Sequence, residues 1–98
     1  MKQIQNEVEF HEAVKEGTVL VDFFATWCGP CRMLNPELEQ VTSAEVLKVD
    51  VDDNETLKNE YGIMSVPTLI LLKDGNFVDR KSGYITKDAI EEWIHSNM

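Results

Sequence analysis

Cysteine is scarce in this chain. There are 2 in 98 residues, Cys28 and Cys31, in a C-x-x-C arrangement. A secreted disulfide scaffold carries more pairs, spread so as to close long loops. This pair closes a four-residue loop, worth only about 2 kcal/mol by loop entropy, so stapling does not explain it. A tetrahedral zinc site needs four ligands. No second C-x-x-C exists, and nothing places His11 or His95 beside the pair, so no metal is expected. Basic residues are also few, with 9 Lys and Arg against 18 Asp and Glu and a net charge of −9. Such a surface repels phosphate backbones and anionic lipid. No nucleic-acid or membrane partner is expected; the acidity serves solubility and favours partners with a basic docking face. The longest apolar runs, 18 to 25 (TVLVDFFA) and 66 to 72 (VPTLILL), fall short of the roughly 20 residues that cross a bilayer. The opening MKQIQNEVEF has no basic segment followed by an apolar one, so no secretory signal is read and the expected location is cytoplasmic.

What is present suits one small packed domain over residues 1–98. The chain is 43% hydrophobic, enough for an interior. Lys2 to Gln5 reads as an edge strand. Asn6 with Glu9 makes a capping-box pattern, and Phe10, Ala13 and Val14 give the following helix an apolar face that Gly17 stops. Residues 18 to 25 lack polar alternation except at Asp22, which suits a strand buried on both faces. Pro30 fits the first turn of a helix. Leu34, Leu38 and Val41 carry that helix to about Thr42, with Pro36 inside it as an expected kink. Residues 45 to 51 alternate as a strand. Asp52 or Asp53 is expected to cap a short helix with Leu57 and Tyr61 on one side, ending at Gly62. Thr68 to Leu72 and Phe77 to Ser82 flank the turn Lys73-Asp74-Gly75-Asn76 as a hairpin. Thr86 caps a last helix with Ala89, Ile90, Trp93 and Ile94 facing inward. The order β-α-β-α-β-α-β-β-α predicts an α/β fold, a single mixed sheet flanked by helices on both faces.

The chemistry lies at the cysteines. A thiolate, not a thiol, attacks a disulfide. Cys28 falls where a strand ends and a helix begins, where free backbone N–H groups and the helix dipole stabilise negative charge. Cys31, three residues on, is within reach to resolve a mixed disulfide, and Gly29-Pro30 keeps the connection tight. Neither residue between them is charged, which favours a reducing poise. Asp22 interrupts the most apolar run; a carboxyl buried there has a raised pKa and can exchange a proton with Cys31. Lys48 is placed to pair with Asp22 and tune it, although an exposed strand lysine would read the same way. Trp27 reads either as packing or as substrate contact beside the nucleophile.

Trp27-Cys28-Gly29-Pro30-Cys31 after VDFFAT, followed some 35 residues later by Ser65-Val66-Pro67-Thr68, resembles the active-site segments of the thioredoxin family over nearly the whole chain. The resemblance implies the thioredoxin fold. It supports a proton-exchanging role for Asp22 and pairing for Lys48. It also implies a cis Pro67 against the cysteines and a contact surface of Trp27, Gly29, Pro30, Val66, Pro67, Thr68 and Gly83. The implied activity is reduction of protein disulfides by a monomer that needs no cofactor beyond its Cys28–Cys31 pair and is recharged by a thioredoxin reductase. Alternatives are a non-catalytic binding module using the same groove, and a disulfide oxidant or isomerase. Phe24, Asn35 and Ser82 depart from the family pattern, as does a short Pro36–Val46 segment; these bear on substrate range and redox poise.

Overall fold

Alternating periods of two and 3.6 residues become nine elements in the computed structural model, which describes residues 1–98. They are β1 (Lys2–Ile4), α1 (Glu7–Val14), β2 (Thr18–Phe24), α2 (Gly29–Leu38), β3 (Glu45–Asp50), α3 (Glu55–Glu60), β4 (Thr68–Lys73), β5 (Asn76–Ser82) and α4 (Lys87–Ser96). The order is the one expected. One mixed sheet runs β1-β3-β2-β4-β5. β3 lies parallel to both β1 and β2, whereas β4 is antiparallel to β2 and β5. β2 is thus the central strand, and every residue after Thr18 in it is buried.

Side chains alternate across a strand, so each face of β2 builds its own core. Val19, Val21 and Phe23 pack with Phe10 and Val14 of α1 and Leu57 of α3. Leu20 packs with Leu34 and Leu38 of α2 and with Ile90, Trp93 and Ile94 of α4. Helices therefore cover both faces in pairs.

The caps follow the sequence in most places. Asn6 Oδ1 accepts from the Glu9 amide at 2.9 Å, while Glu9 reaches back to the Gln5 amide at 3.4 Å. Thr86 caps α4 through the Ala89 amide. In the β4–β5 hairpin, Asp74 and Gly75 both have positive φ, 50° and 83°, as a two-residue loop matching strand twist requires. Asp74 Oδ1 also accepts from the Gly17 amide at 2.7 Å, joining this turn to the start of β2.

Three expectations are corrected. α2 ends at Leu38, not near Thr42, because after Glu39 the chain tightens into i+3 bonds, Gln40 N–H to Glu37 O and Val41 N–H to Leu38 O. Val41 still packs on the core, so its spacing reads as helix. The residue at the N-cap of α3 is Asn54, not Asp52 or Asp53, and it makes no side-chain cap bond; its Nδ2 donates to the Asp50 carbonyl instead. Ala89 faces solvent, and the buried face of α4 is Ile90, Trp93 and Ile94.

Candidate active site

β2 delivers the chain to one end of the sheet, and α2 starts there. Cys28 occupies the N-cap of α2 with extended backbone, and its Sγ accepts from the Cys31 amide at 3.2 Å. Gly29 and Pro30 fill the first helical positions, where the missing proline N–H removes no intrahelical bond. The two cysteines form a disulfide with Cα atoms 5.3 Å apart. Both are nearly buried, 4% and 2% exposed. The difference between them lies in their surroundings. Cys28 Sγ is the sulfur that accepts from an amide of the first turn, and it lies 3.7 Å from the Val66 carbonyl oxygen. Backbone donors at a helix start favour negative charge on that sulfur.

Opposite the cysteines runs the segment Val66-Pro67-Thr68, with a cis bond between Val66 and Pro67 as the family resemblance implied. Its backbone is tied on both sides. The Gly83 amide donates to the Pro67 carbonyl at 2.9 Å. Thr68 Oγ1 donates to the Ser65 carbonyl at 2.8 Å and lies 2.9 Å from Ser82 Oγ. Ser82, a departure from the family pattern, is therefore a fastening between β5 and the start of β4. Gly83 has φ of 91°, a conformation that glycine adopts without steric cost.

Trp27 is 69% exposed, so it does not serve the core. Its indole Nε1 donates to Asp52 Oδ2 at 2.9 Å. The aspartate read from sequence as a helix cap instead holds the tryptophan beside the cysteines. Nothing local announces this, since the two residues are 25 apart in the chain. Asp52 itself is placed by its amide, which donates to Asp50 Oδ1 at 2.9 Å.

β2 also carries a buried acid. Asp22 is fully buried, and no protein group donates a hydrogen bond to either of its side-chain oxygens. The β2–β3 register sets Lys48 directly opposite it, and Lys48 Nζ stands 3.8 Å from Asp22 Oδ2. Burial pushes the Asp22 carboxyl up to about 6, against the downward pull of the Lys48 ammonium. Lys48 is thus not the exposed strand lysine that its sequence would equally allow. Its Nζ donates to Asn35 Oδ1 and lies 4.2 Å from the centroid of the Phe24 ring. Asn35 and Phe24 were legible only as departures; the structure brings both to Lys48.

The structure thus brings Trp27, Cys28, Gly29, Pro30, Cys31, Val66, Pro67, Thr68 and Gly83 to one end of the sheet, and pairs Asp22 with Lys48 across the adjacent strands β2 and β3. No cluster of three or more His, Cys, Asp or Glu side chains is arranged to hold a metal ion. His11 pairs with Glu60 at 3.7 Å and His95 meets Ser43 Oγ at 3.0 Å, each at the surface. No helix is long and apolar enough to cross a membrane.

Comparison with known proteins agrees with this arrangement. Residues 1–96 match the family model described as Thioredoxin. Thioredoxin of Bacillus subtilis is 40% identical over 94 residues, covering 91% of this chain and 90% of that protein. Thioredoxin of Staphylococcus aureus is 41% identical over 97 residues, covering 94% and 93%. Among solved structures, Fasciola hepatica thioredoxin superposes with a TM-score of 0.89 at 34% identity, covering 100% of both chains. A mutant thioredoxin from Halobacterium salinarum gives a TM-score of 0.90 at 40% identity, covering 98% of this chain and 88% of that one.

Proposed function

The chain belongs to the thioredoxin family and is a thiol–disulfide oxidoreductase whose redox group is its own cysteine pair; we propose that it carries electrons, as a cytoplasmic monomer of one domain spanning residues 1–98, from a thioredoxin reductase to disulfide-containing proteins. The observation that carries this reading is the placement of Cys28 Sγ, capped by the Cys31 amide at 3.2 Å and set beside the Val66 carbonyl. A nucleophilic sulfur is favoured there, next to backbone that an extended peptide can pair with.

In the reduced protein, the Cys28 thiolate attacks one sulfur of a substrate disulfide. The substrate S–S bond breaks, and its far sulfur leaves as a thiolate and takes a proton. Asp22 accepts the Cys31 thiol proton. The Cys31 thiolate then attacks Cys28 Sγ, the mixed disulfide breaks, and the second substrate sulfur leaves and is protonated. Two electrons have passed from the cysteine pair to the substrate. The reductase returns the Cys28–Cys31 disulfide to the dithiol by the same exchange. Lys48 steadies the charge on Asp22 as the proton comes and goes. Trp27, Gly29, Pro30, Val66, Pro67, Thr68 and Gly83 form the surface that receives the substrate chain.

The test is reduction of a protein disulfide with NADPH, a thioredoxin reductase and this protein. Turnover is expected with the wild type and none with Cys28→Ser/Cys31→Ser. A double variant that retains full function in its host would replace this reading with a binding module.

A further inference from the structure

Asn35 lies on α2 one turn beyond Cys31, half-buried. Its amide oxygen accepts from Lys48 Nζ. The Phe24 ring lies against the same ammonium, 4.2 Å from centroid to Nζ, where the negative face of an aromatic attracts a cation. Asp22 is the only carboxylate within 4.0 Å of that ammonium, yet Nζ stops 3.8 Å short of it, beyond hydrogen-bond distance. An ammonium has three N–H groups to place. Asn35 takes one that the buried, unpartnered carboxyl would otherwise receive.

We propose that Asn35 is a positioning residue which, with the Phe24 ring, holds the Lys48 ammonium off Asp22, so that the carboxyl keeps a neighbouring positive charge without a hydrogen bond to it. This rests on the reading of Asp22 as the proton acceptor for Cys31. A carboxylate locked to an ammonium is a weak base. One held apart from it keeps an affinity for protons close to working pH, as an acid–base group requires.

No other charge competes for this control. The residues opposite Asp22 are Lys48 on β3 and Leu69 on β4. α2 brings Cys31 to this end, while its charged residues turn away, Arg32 to the Thr26 carbonyl and Glu37 to the Lys87 amide. α4 presents Ile90 and Ile94 to the core on this face; its Glu91 binds Thr42 and Ser43, and its Lys87 lies by Asp88. Lys48 is the one charged group that acts on Asp22.

The experiment is a carbon-13 NMR titration of the Asp22 carboxyl in the oxidised protein, for the wild type, Asn35→Ala, Lys48→Met and the double variant. Alanine favours helix at this position, and Asn35→Ser carries the same expectation should Asn35→Ala fold poorly. Asn35→Ala is expected to lower the Asp22 midpoint by about one pH unit, as contact with an opposite charge does. Lys48→Met is expected to raise it, and Asn35→Ala added to Lys48→Met should shift it no further. A midpoint unmoved or raised by Asn35→Ala, or lowered equally in both backgrounds, overturns the proposal. No thiol titrates in the oxidised protein, so the result does not depend on whether Asp22 serves Cys31. That role is tested apart, by the pH dependence of disulfide reduction in Asp22→Asn.

Discussion

Asp22 and Lys48 stand directly opposite one another on adjacent parallel strands, and their charged atoms are 3.8 Å apart without a hydrogen bond between them. Two effects of opposite sign meet in this pair. Removal from water disfavours the carboxylate, and the ammonium favours it. Burial is the larger, and the carboxyl is raised to about 6. The centre of the sheet thus holds a group that is costly to ionise.

That cost has a signed consequence for stability. In the unfolded chain Asp22 has its ordinary value of 3.8, and in the folded protein about 6. The folded state therefore binds this proton more tightly. Its contribution is fully present below about pH 4 and is lost as pH rises through about 6, about 3 kcal/mol in all. Asp22→Asn has no such loss. Denaturant unfolding of the oxidised proteins is expected to show the variant more stable by up to about 3 kcal/mol near pH 8, with the difference shrinking to nothing near pH 4. An Asp22→Asn protein less stable at pH 8 would mean that the carboxylate is well solvated or firmly paired.

Much of this site was legible before the fold. The buried run around Asp22, the strand-to-helix position of Cys28 and the strand that carries Lys48 all follow from local pattern, because burial and periodicity are written in adjacent residues. The partners of Asp52 and Asn35 were not. Trp27 meets Asp52, and Lys48 meets Asn35, only after β3 has been laid beside β2 and α2 folded over them. Local signals competed with these roles: an aspartate ahead of a helix reads as a cap, and a polar residue in an amphipathic helix reads as an exception. The true N-cap of α3, Asn54, was obscured by two aspartates just before it, and the end of α2 by Val41, which keeps its packing after the helical bonds have stopped.

Cys28 and Cys31 are almost equally buried, so exposure does not decide which one attacks. The Cys31 amide donates to Cys28 Sγ and favours negative charge there, so the proposed exchange assigns the attack to Cys28. Cys31→Ser is expected to accumulate a mixed disulfide through Cys28 with a substrate protein, visible by mass spectrometry and released by dithiothreitol. Cys28→Ser is expected to accumulate little. The reverse pattern would exchange the two roles.

Asp52 holds the exposed Trp27 indole through one hydrogen bond of 2.9 Å. Hydrogen bonds to charged groups are worth roughly 1.5–3 kcal/mol, and less at an exposed site. Asp52→Ala is expected to lower kcat/KM for a protein disulfide by a few-fold, about tenfold at most, mainly through KM. The midpoint potential of the cysteine pair should not move. A changed potential with an unchanged KM would show that Asp52 acts on the cysteines rather than on the contact surface.

Far from the site, Asn6 caps α1 through the Glu9 amide. Asn6→Ala is expected to cost about 1 kcal/mol in denaturant unfolding and to leave disulfide reduction unchanged. A loss of activity at full stability would mean that α1 and β1 take part in the site.

The proposed activity depends on the reducing poise of the Cys28–Cys31 couple. Its most direct test is the midpoint potential of the pair, measured by equilibration against defined glutathione or dithiothreitol buffers. A single two-electron transition well below the potential of the glutathione pool is expected. A potential above that pool would make the protein an oxidant or isomerase, and the absence of any two-electron transition would contradict the redox function altogether.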